Sequence, residues 1–244
     1  MRNLSDYIQN FDKLPFESLQ SGFRKKNFCE LINKFPVMES VLEVGCGESS
    51  IFEYKQFRKQ TIIEPLHEFI DRLKTRMNCE TISIECCRIE EFETNNSYDL
   101  VVASCLLHEV DDQRKFLKKL INLMTTDGYI YVDVPNAHSL HRQLAVETGH
   151  LESVYERSTT QDTMQQFNTV FDQKSLKNFV EDNGLEVVSS GGYFLKPFHH
   201  EKMQQLVDLN HLTAQELDAF YKIGKKFQNL ASEIFVMCQR KIAK

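Results

Sequence analysis

Short apolar runs alternate with amphipathic segments through the middle of this chain of 244 residues. The apolar runs predict strands near 40–44, 60–64, 81–85, 98–104 and 127–134. Between them, apolar residues recur at helical spacing, which predicts helices near 48–57, 66–77 and 112–124. The run at 98–104 is almost continuously apolar, as expected of a strand buried on both faces, whereas the weakly apolar run at 81–85 is expected toward an edge. This alternation predicts an α/β fold with a doubly wound, mostly parallel sheet.

Both ends of the chain add further elements to this pattern. Residues 1–38 place apolar side chains on helical faces and predict an N-terminal helical cap. The elements predicted after residue 135 are a helix with a polar covering loop (136–170), a helix (173–183), a strand (185–188), a long helical stretch (about 200–230) and a last strand (233–238). Seven strands without a Pro/Gly-rich linker predict a single domain over 1–244. Its expected parts are a cap (1–38), a core (39–135), lid and substrate insertions (136–232) and the last strand (233–240).

Composition narrows the cellular location and the partners expected for such a domain. A hydrophobic content of 41% is typical of globular proteins, and no apolar run approaches the roughly 20 residues that span a bilayer. The N-terminus lacks a signal-peptide core, and the seven cysteines lack zinc-ligand spacing, so a reduced, cytoplasmic location without a bound metal is expected. The net charge of −6 argues against nucleic acid as a partner, and we expect no membrane partner either.

The most informative segment is the strand that ends in Glu43 and runs into a turn with Gly45 and Gly47. Two glycines this close let a backbone approach a ligand, because no Cβ intervenes. The next strand also ends in an acid, Glu64, followed by Pro65. An acid at such a strand end can accept hydrogen bonds from both hydroxyls of a ribose. Together these residues predict a site for an adenosine-containing cofactor at the carboxyl edge of the sheet.

These motifs resemble those of the class I S-adenosylmethionine-dependent methyltransferases. The segments that carry the resemblance are Glu43-Val44-Gly45-Cys46-Gly47, Glu64-Pro65, Tyr98-Asp99-Leu100-Val101-Val102, Leu107-His108-Glu109-Val110 and Gly128-Tyr129-Ile130-Tyr131-Val132. The resemblance implies a Rossmann-like fold and S-adenosylmethionine as the cofactor. It is strong over roughly 38–135 and looser to 240.

The resemblance also implies which residues contact the cofactor. They are Glu43, Gly45, Cys46, Gly47, Glu64, Pro65, Arg88, Ile89, Ser104 and Cys105. The glycine turn is expected under the methionine part, with Glu43 facing its ammonium group and Glu64 binding the ribose. Arg88 and Ile89 are expected at the adenine ring. Arg24 is a further candidate that could reach the cofactor carboxylate.

Four further positions concern the cofactor, and two of them depart from the family pattern. Ser104 and Cys105 follow the fourth strand and are expected to line the methionine and methyl end. Ser49 stands where many members carry a third glycine. Arg88 stands where an acid often contacts the adenine amino group, so that contact does not carry over from the family.

Within the class, the chain resembles a small-molecule branch that includes ubiquinone-biosynthesis-type enzymes. The run Val134–Arg142 is similar to a subgroup encoded with bacterial surface-polysaccharide genes. These resemblances imply methyl transfer to an oxygen of a small polar acceptor, such as a surface-polysaccharide precursor. The alternatives are a quinone precursor, a nitrogen nucleophile, or a non-catalytic module that only binds the cofactor. Phe167–Phe171 stands where related sequences often show a Gly-His pair, so no histidine role carries over there.

The candidates for the acceptor site are histidines, cations and two aromatic residues. A hydroxyl acceptor benefits from a base, and histidine is the usual one near neutral pH. The candidate bases are His108, His138 and His141, of which the last two are expected to share one helix face. Predicted acceptor contacts are Tyr7, Phe11, Arg142, Lys196, His199 and His200. Local positive charge in an acidic protein favours an anionic acceptor carrying a phosphate, a carboxylate or a linked nucleotide.

Overall fold

A computed structural model describes residues 4–158, 161–162, 164 and 170–241, and these residues contain a seven-stranded sheet. The strands are β1 (Ser40–Val44), β2 (Lys59–Ile63), β3 (Ile82–Glu85), β4 (Tyr98–Ser104), β5 (Met124–Pro135), β6 (Leu185–Tyr193) and β7 (Glu233–Arg240). Their order is β3-β2-β1-β4-β5-β7-β6, and β7 runs antiparallel to both neighbours. The predicted doubly wound, mostly parallel sheet is therefore confirmed, and the weakly apolar β3 lies at its edge.

Eight α-helices flank this sheet in the described part of the chain. They are α1 (Leu4–Phe11), α2 (Glu17–Ile32), α3 (His67–Arg76), α4 (Gln113–Leu123), α5 (Leu140–Glu147), α6 (Gln173–Asp182), α7 (His200–Asp208) and α8 (Ala214–Lys226). α6 ends before Gly184, whose φ of +88° is the conformation expected of a glycine that stops a helix.

Two predicted helices differ from the structure. The helix predicted at 48–57 is wrong, because only a 3₁₀ turn forms at Ile51–Glu53; Ser50 and Glu53 cap each other and close the turn. The long helical stretch predicted at about 200–230 is two helices. Asn210 adopts a left-handed φ of +56°, and Thr213 begins α8 with a capping box.

The central strands pack on both faces, which explains their apolar sequence. Leu100 and Val102 of β4 face one hydrophobic cluster, while Val101 faces the other. α2 covers the first of these faces, where Phe28 packs edge-on against Tyr131 with ring centroids 5.3 Å apart. In a parallel sheet all carboxyl ends lie at one edge, so the fold gathers the segments after β1, β2, β4 and β5 there.

No helix among the described residues is long and apolar enough to cross a membrane.

Candidate active site

A cavity of about 1270 Å³ opens at the carboxyl edge of the sheet. Its wall includes fourteen of the residues predicted for the site: Tyr7, Phe11, Glu43, Gly45, Cys46, Gly47, Ser104, Cys105, His108, His141, Arg142, Lys196, His199 and His200. We divide the wall into two parts. The glycine lobe comprises Lys25, Glu43 and residues 45–49, and the histidine lobe comprises His141, Lys196, His199, His200 and Ser232.

The glycine turn lies against the end of β2. Gly45 has a φ of +72° and donates its N–H to the carbonyl of Ile63 at 2.8 Å. Gly47 has a φ of +59° and donates to Glu64 Oε2 at 3.0 Å, while Leu66 N donates to Glu64 Oε1, also at 3.0 Å. Burial raises the pKa of Glu64 to about 7 despite these two hydrogen bonds. Glu64 therefore lies directly behind the turn and does not belong to the cavity wall, so its ribose contact stays a prediction.

Glu43 is buried in the glycine lobe, and hydrogen bonds hold it in place. Its carboxylate accepts from Ile51 N at 3.0 Å and from the Ser50 hydroxyl, so it also anchors the 3₁₀ turn. Burial raises its pKa to about 7. The side chain thus faces the cavity and organises the loop around it.

The sequence analysis missed Lys25, which lines the glycine lobe. Its ammonium is buried and donates to Ser21 Oγ at 2.7 Å. Burial lowers its pKa to about 8, an effect that the charge of Glu43 partly offsets. Lys25 precedes Phe28 and Ile32 by three and seven residues, so it lies on the apolar stripe of α2. That periodicity is the signal that could have identified it.

Arg24 lines the cavity, but two acids bind its guanidinium, and its contact with a cofactor carboxylate stays a prediction. Its guanidinium pairs with Glu233, with Nη2 and Oε1 2.7 Å apart, and with Glu17 at 3.1 Å. Gln20 Nε2 and the Tyr193 hydroxyl also donate to Glu233, at 2.7 and 2.5 Å. Arg24 therefore ties α2 to the start of β7.

Asp133 is a second residue that the sequence analysis missed. It lies buried at the end of β5 and accepts from Ser104 Oγ at 2.9 Å and from Cys105 N at 2.6 Å. The Tyr131 hydroxyl donates to its other oxygen at 2.9 Å, and the hydroxyl oxygen of Tyr193, which donates to Glu233, also lies 2.9 Å from it. Asp133 therefore fixes the two residues expected at the methyl end. The sequence signal that could have identified Asp133 is an acid within the otherwise apolar run of β5.

The histidine lobe contains polar groups with few protein partners. Nδ1 of His141 and Oγ of Ser232 are buried and have no hydrogen-bond partner among the described residues. Lys196 is 1% exposed and donates to Gln20 Oε1 at 3.1 Å. Burial lowers its pKa to about 8. Nδ1 of His200 lies 3.1 Å from the carbonyl oxygen of Pro15. Such groups can bind a polar ligand that enters this lobe.

Two predicted residues of the acceptor site have other contacts. His138 lies outside the cavity wall and before α5, so the expected helix face shared with His141 is wrong. Its Nε2 lies 2.9 Å from the Tyr155 hydroxyl, which itself donates to Asp172, so a catalytic role for His138 loses its geometric support. Arg142 lines the cavity, but its Nε donates to the carbonyl of Val154 at 2.9 Å and holds that loop.

The remaining predicted residues divide between the cavity wall and the nearby surface. His108 lies in the wall with Nε2 3.8 Å from Glu109 Oε1. Tyr7 and Phe11 cover the glycine lobe from α1, where Phe11 packs on Phe69 with ring centroids 5.1 Å apart. Pro65, Arg88 and Ile89 do not belong to the wall, and their cofactor contacts stay predictions. Residues 167–169 of the segment compared with a Gly-His pair lie outside the described residues.

The chain matches the methyltransferase domain family Methyltransf_23 over residues 19–190. It is similar to the mitochondrial ubiquinone biosynthesis O-methyltransferase of Homo sapiens, with 25% identity over 65% of this chain and 44% of that enzyme. The malonyl-[acyl-carrier protein] O-methyltransferase of Bacillus cereus is 26% identical over 37% of this chain and 35% of that enzyme. The chain thus spans less than half the length of these two curated relatives.

Solved structures with a similar fold cover nearly the whole chain. The plantazolicin methyltransferase BpumL, in complex with a monoazolic desmethylPZN analog and SAH, superposes with a TM-score of 0.56, 15% identity and coverage of 98% of this chain and 88% of that one. A methyltransferase from Listeria monocytogenes gives a TM-score of 0.59 at 14% identity, over 93% of this chain and all of that one. These similarities confirm the predicted Rossmann-like architecture.

Proposed function

Because this chain belongs to the methyltransferase domain family and is a class I S-adenosylmethionine-dependent methyltransferase, we propose that it methylates an oxygen of a small, polar, anionic acceptor. The family match confirms the predicted class and, with it, the predicted cofactor. The acceptor is the proposed part. A precursor of a surface polysaccharide is the acceptor suggested by the resemblance at Val134–Arg142.

The glycine lobe fits the cofactor in shape and in charge. A Cβ at Gly45 would clash with Leu106 Cδ2 at 2.8 Å, so only glycine fits there, whereas a Cβ at Gly47 would meet no atom within 4 Å, so the backbone of the turn is open at that residue. Glu43 and Lys25 present opposite charges in one wall, which suits the ammonium and carboxylate of an amino acid. Glu64 would take the ribose hydroxyls. When bound, S-adenosylmethionine supplies a methyl group on a positively charged sulfur, which needs no further activation.

One observation carries the proposal: the glycine lobe and the histidine lobe are walls of the same cavity. An acceptor in the histidine lobe can therefore reach a methyl group held above the glycine turn. For a displacement at carbon, holding the nucleophile in line can supply roughly 7–11 kcal/mol of the barrier reduction. The main task of these residues is thus to align the acceptor and exclude water.

The polar groups of the histidine lobe support a polar acceptor with a negative charge. Ser232 and His141 offer buried atoms without protein partners, which lose hydrogen-bond energy if the acceptor is apolar. No carboxylate of a described residue lies within ion-pair distance of the Lys196 ammonium, because Arg24 takes both Glu17 and Glu233. Lys196 is therefore the buried cation that can attract a phosphate or a carboxylate.

Two observations favour other acceptors, which remain as alternatives. Phe11 and Phe198 add apolar surface to the cavity, which suits a quinone precursor, the substrate class suggested by the ubiquinone-biosynthesis relatives. A solved structure with a similar fold is the N-methyltransferase NodS of Bradyrhizobium japonicum, with a TM-score of 0.54 at 14% identity over 95% of this chain and 90% of that one. A non-catalytic cofactor-binding module is the third alternative.

Two measurements test the proposal in sequence. Calorimetry with S-adenosylhomocysteine is expected to show one site per chain, and no binding at high micromolar ligand would contradict the assignment of the glycine lobe. Methyl transfer from labelled cofactor is then measured on sugar nucleotides, phosphosugars, uronic acids, hydroxylated quinone precursors and amines. Turnover of an anionic sugar supports the proposal. Turnover of only quinone precursors or only amines selects the corresponding alternative, and binding without any turnover selects the non-catalytic module.

A further inference from the structure

We propose that His200 is the base that removes the proton from the acceptor hydroxyl, and that the carbonyl group of Pro15 fixes the hydrogen on its ring. The proposal rests on the methyl transfer to oxygen described above. It adds a catalytic role to a residue expected from sequence only to contact the acceptor. The supporting observations are one hydrogen bond, the conformation of the segment that makes it, and the position of the ring in the cavity.

The hydrogen bond to Pro15 determines which nitrogen of His200 can act as a base. Nδ1 lies 3.1 Å from the Pro15 carbonyl oxygen, and a carbonyl oxygen only accepts hydrogen bonds. Nδ1 must therefore carry the hydrogen, and the lone pair of the neutral ring is on Nε2. No described residue makes a hydrogen bond to Nε2. The ring thus keeps its basic nitrogen available to a ligand in the cavity.

The backbone that presents this carbonyl group is held in an uncommon conformation. Phe16 has a φ of +64°, a left-handed value that is unfavourable for a bulky side chain. Its N–H donates to Gln204 Oε1 at 2.8 Å, and its ring lies edge-on to the ring of His200, with centroids 6.4 Å apart. His200 and Gln204 are four residues apart in α7, so one face of this helix holds the Pro15–Phe16 segment at two points. The orientation of the imidazole is therefore fixed by the fold.

The surroundings of His200 favour the neutral, basic form of the ring. His200 lines the histidine lobe four residues after Lys196. Burial and the neighbouring charge of Lys196 together lower the pKa of His200 to about 3. The same ammonium stabilises negative charge on an oxygen that is bound beside it. Lys196 thus makes a bound hydroxyl more acidic and keeps the free imidazole unprotonated. Its charge also weakens the imidazole as a base, and the negative charge of an anionic acceptor bound at Lys196 would offset that effect.

The proposed step balances in atoms and in charge. The acceptor O–H proton moves to Nε2 of His200 while the oxygen forms its bond to the methyl carbon. The carbon–sulfur bond breaks, and its electron pair stays on sulfur as S-adenosylhomocysteine. Positive charge disappears from the sulfur and appears on the imidazolium, so the net charge in the cavity does not change. The imidazolium then releases its proton to water when the products leave.

The other predicted histidines of the site lack this arrangement. His199 is exposed, and no described residue makes a hydrogen bond to its ring that would select a tautomer. Nδ1 of His141 has no hydrogen-bond partner in the described part of the chain, so no bond from that atom selects a tautomer. His108 lies beside Glu109, next to the glycine lobe rather than in the histidine lobe. His138 lies outside the cavity wall. Among these residues, only His200 combines a backbone acceptor on Nδ1 with a place in the histidine lobe.

The variant that isolates the basic nitrogen is His200→Asn. The amide nitrogen of asparagine can replace Nδ1 as the donor to Pro15, but the residue has no counterpart to Nε2. We expect kcat with an acceptor identified by the panel to fall roughly 10²–10⁴-fold, the range for loss of a general base. The KM for the cofactor and the affinity for S-adenosylhomocysteine should stay within about twofold. The matched control is His211→Asn, at an exposed histidine after α7, which should leave kcat unchanged.

A second measurement needs no acceptor and no variant activity. Nitrogen NMR of the wild-type protein with labelled histidine and bound S-adenosylhomocysteine should show His200 with hydrogen on Nδ1 and a bare Nε2. The loss of that signal in His200→Asn assigns it, and His200→Gln serves if the asparagine variant does not fold. Hydrogen on Nε2, or a kcat in either variant within threefold of wild type, overturns the proposal. Failure to bind S-adenosylhomocysteine would contradict the proposed function itself, so the two failures are distinguishable.

Discussion

The two lobes of the cavity bind their groups in different ways. In the glycine lobe, nearby backbone amides hold the carboxylates: Glu64 accepts from Gly47, 17 residues away, and Glu43 accepts from Ile51, eight residues away. In the histidine lobe, Lys196 meets Gln20 over 176 residues, and the adjoining pair of Arg24 and Glu233, next to Ser232, spans 209 residues. Apart from Lys25 on α2, the first lobe is thus encoded by a short segment, and the second depends on the completed fold.

This difference matches the two tasks that we assign to the lobes. Backbone amides are present whatever the side chain, so a cofactor site built from them tolerates sequence change outside its glycines and acids. A site built from side chains on α2, α5, α7 and the start of β7 can change its ligand by a few substitutions. The comparison predicts that variants of the histidine lobe act mainly on stability and acceptor turnover, and variants of the glycine lobe on cofactor affinity.

The largest expected effect tests whether the histidine lobe depends on the adjoining buried ion pair of Arg24 and Glu233. Arg24→Met leaves Glu233 and Glu17 buried without their cation, and loss of one partner of a buried pair costs about 3–5 kcal/mol. Denaturant unfolding measures this change. The matched control is Arg58→Met, which breaks an exposed pair with Glu39 and should cost less than about 1 kcal/mol. Equal losses in both variants would mean that Arg24 does not hold this lobe together.

The next effect concerns cofactor affinity in the glycine lobe. Glu64→Ala removes the acceptor that faces Gly47 and the expected ribose contact, so S-adenosylhomocysteine should bind more weakly by about 1.5–3 kcal/mol, roughly 10–150-fold. Calorimetry measures the change directly. Glu85→Ala is the control, because Glu85 ends the neighbouring strand β3 but is exposed and should have no effect. Unchanged affinity in Glu64→Ala would remove Glu64 from the ribose role.

Lys196 tests the opposite case to Arg24, because its buried charge should lower the free energy of unfolding. Burial lowers its folded-state pKa to about 8 from 10.5, so the unfolded chain binds more protons between these values and wild-type stability should rise with pH there. At pH 7 the charged amine is a net cost, and Lys196→Met should stabilise the protein by about 1–3 kcal/mol. Unfolding at pH 7 and pH 10 measures both effects. Destabilisation by Lys196→Met at pH 7 would show that the ammonium is structural and not reserved for an acceptor.

The sequence predicted the glycine turn and the acids beside it, though not Lys25, because the determinants of the turn are local. Strand ends, positive-φ glycines and terminal acids follow one another within 22 residues, from Glu43 to Glu64. The prediction failed at 48–57, where Ser50 and Glu53 close a single 3₁₀ turn instead of beginning a longer helix. There the local capping residues, rather than the apolar spacing, set the length of the element.

The cavity residues that depend on long-range packing were predicted as residue types but not as an arrangement. Arg24 and Lys25 are adjacent, and a turn of about 100° along the helix sends one toward Glu233 and the other toward Glu43. Only the packing of α2 decides which residue faces which partner. Similarly, α5 begins at Leu140, so His138 precedes the helix that was expected to align it with His141. Long-range packing of this kind leaves no periodic signal in a single sequence.

The smallest expected effect is the pH dependence of the glycine lobe. Burial raises the pKa of Glu43 and of Glu64 from 4.5 to about 7, so the folded protein binds more protons than the unfolded chain between these values. The stability of the free protein should therefore fall as pH rises through this window. A ligand ammonium and ribose hydroxyls favour the ionised carboxylates, so the affinity for S-adenosylhomocysteine should rise about tenfold from pH 6 to pH 8, roughly 1.4 kcal/mol. Calorimetry at both values measures this, and Glu64→Gln should reduce the rise because one of the two titrating groups is gone. A pH-independent affinity in the wild type would mean that neither carboxylate contacts the ligand, and the contrast between the lobes would then concern folding alone.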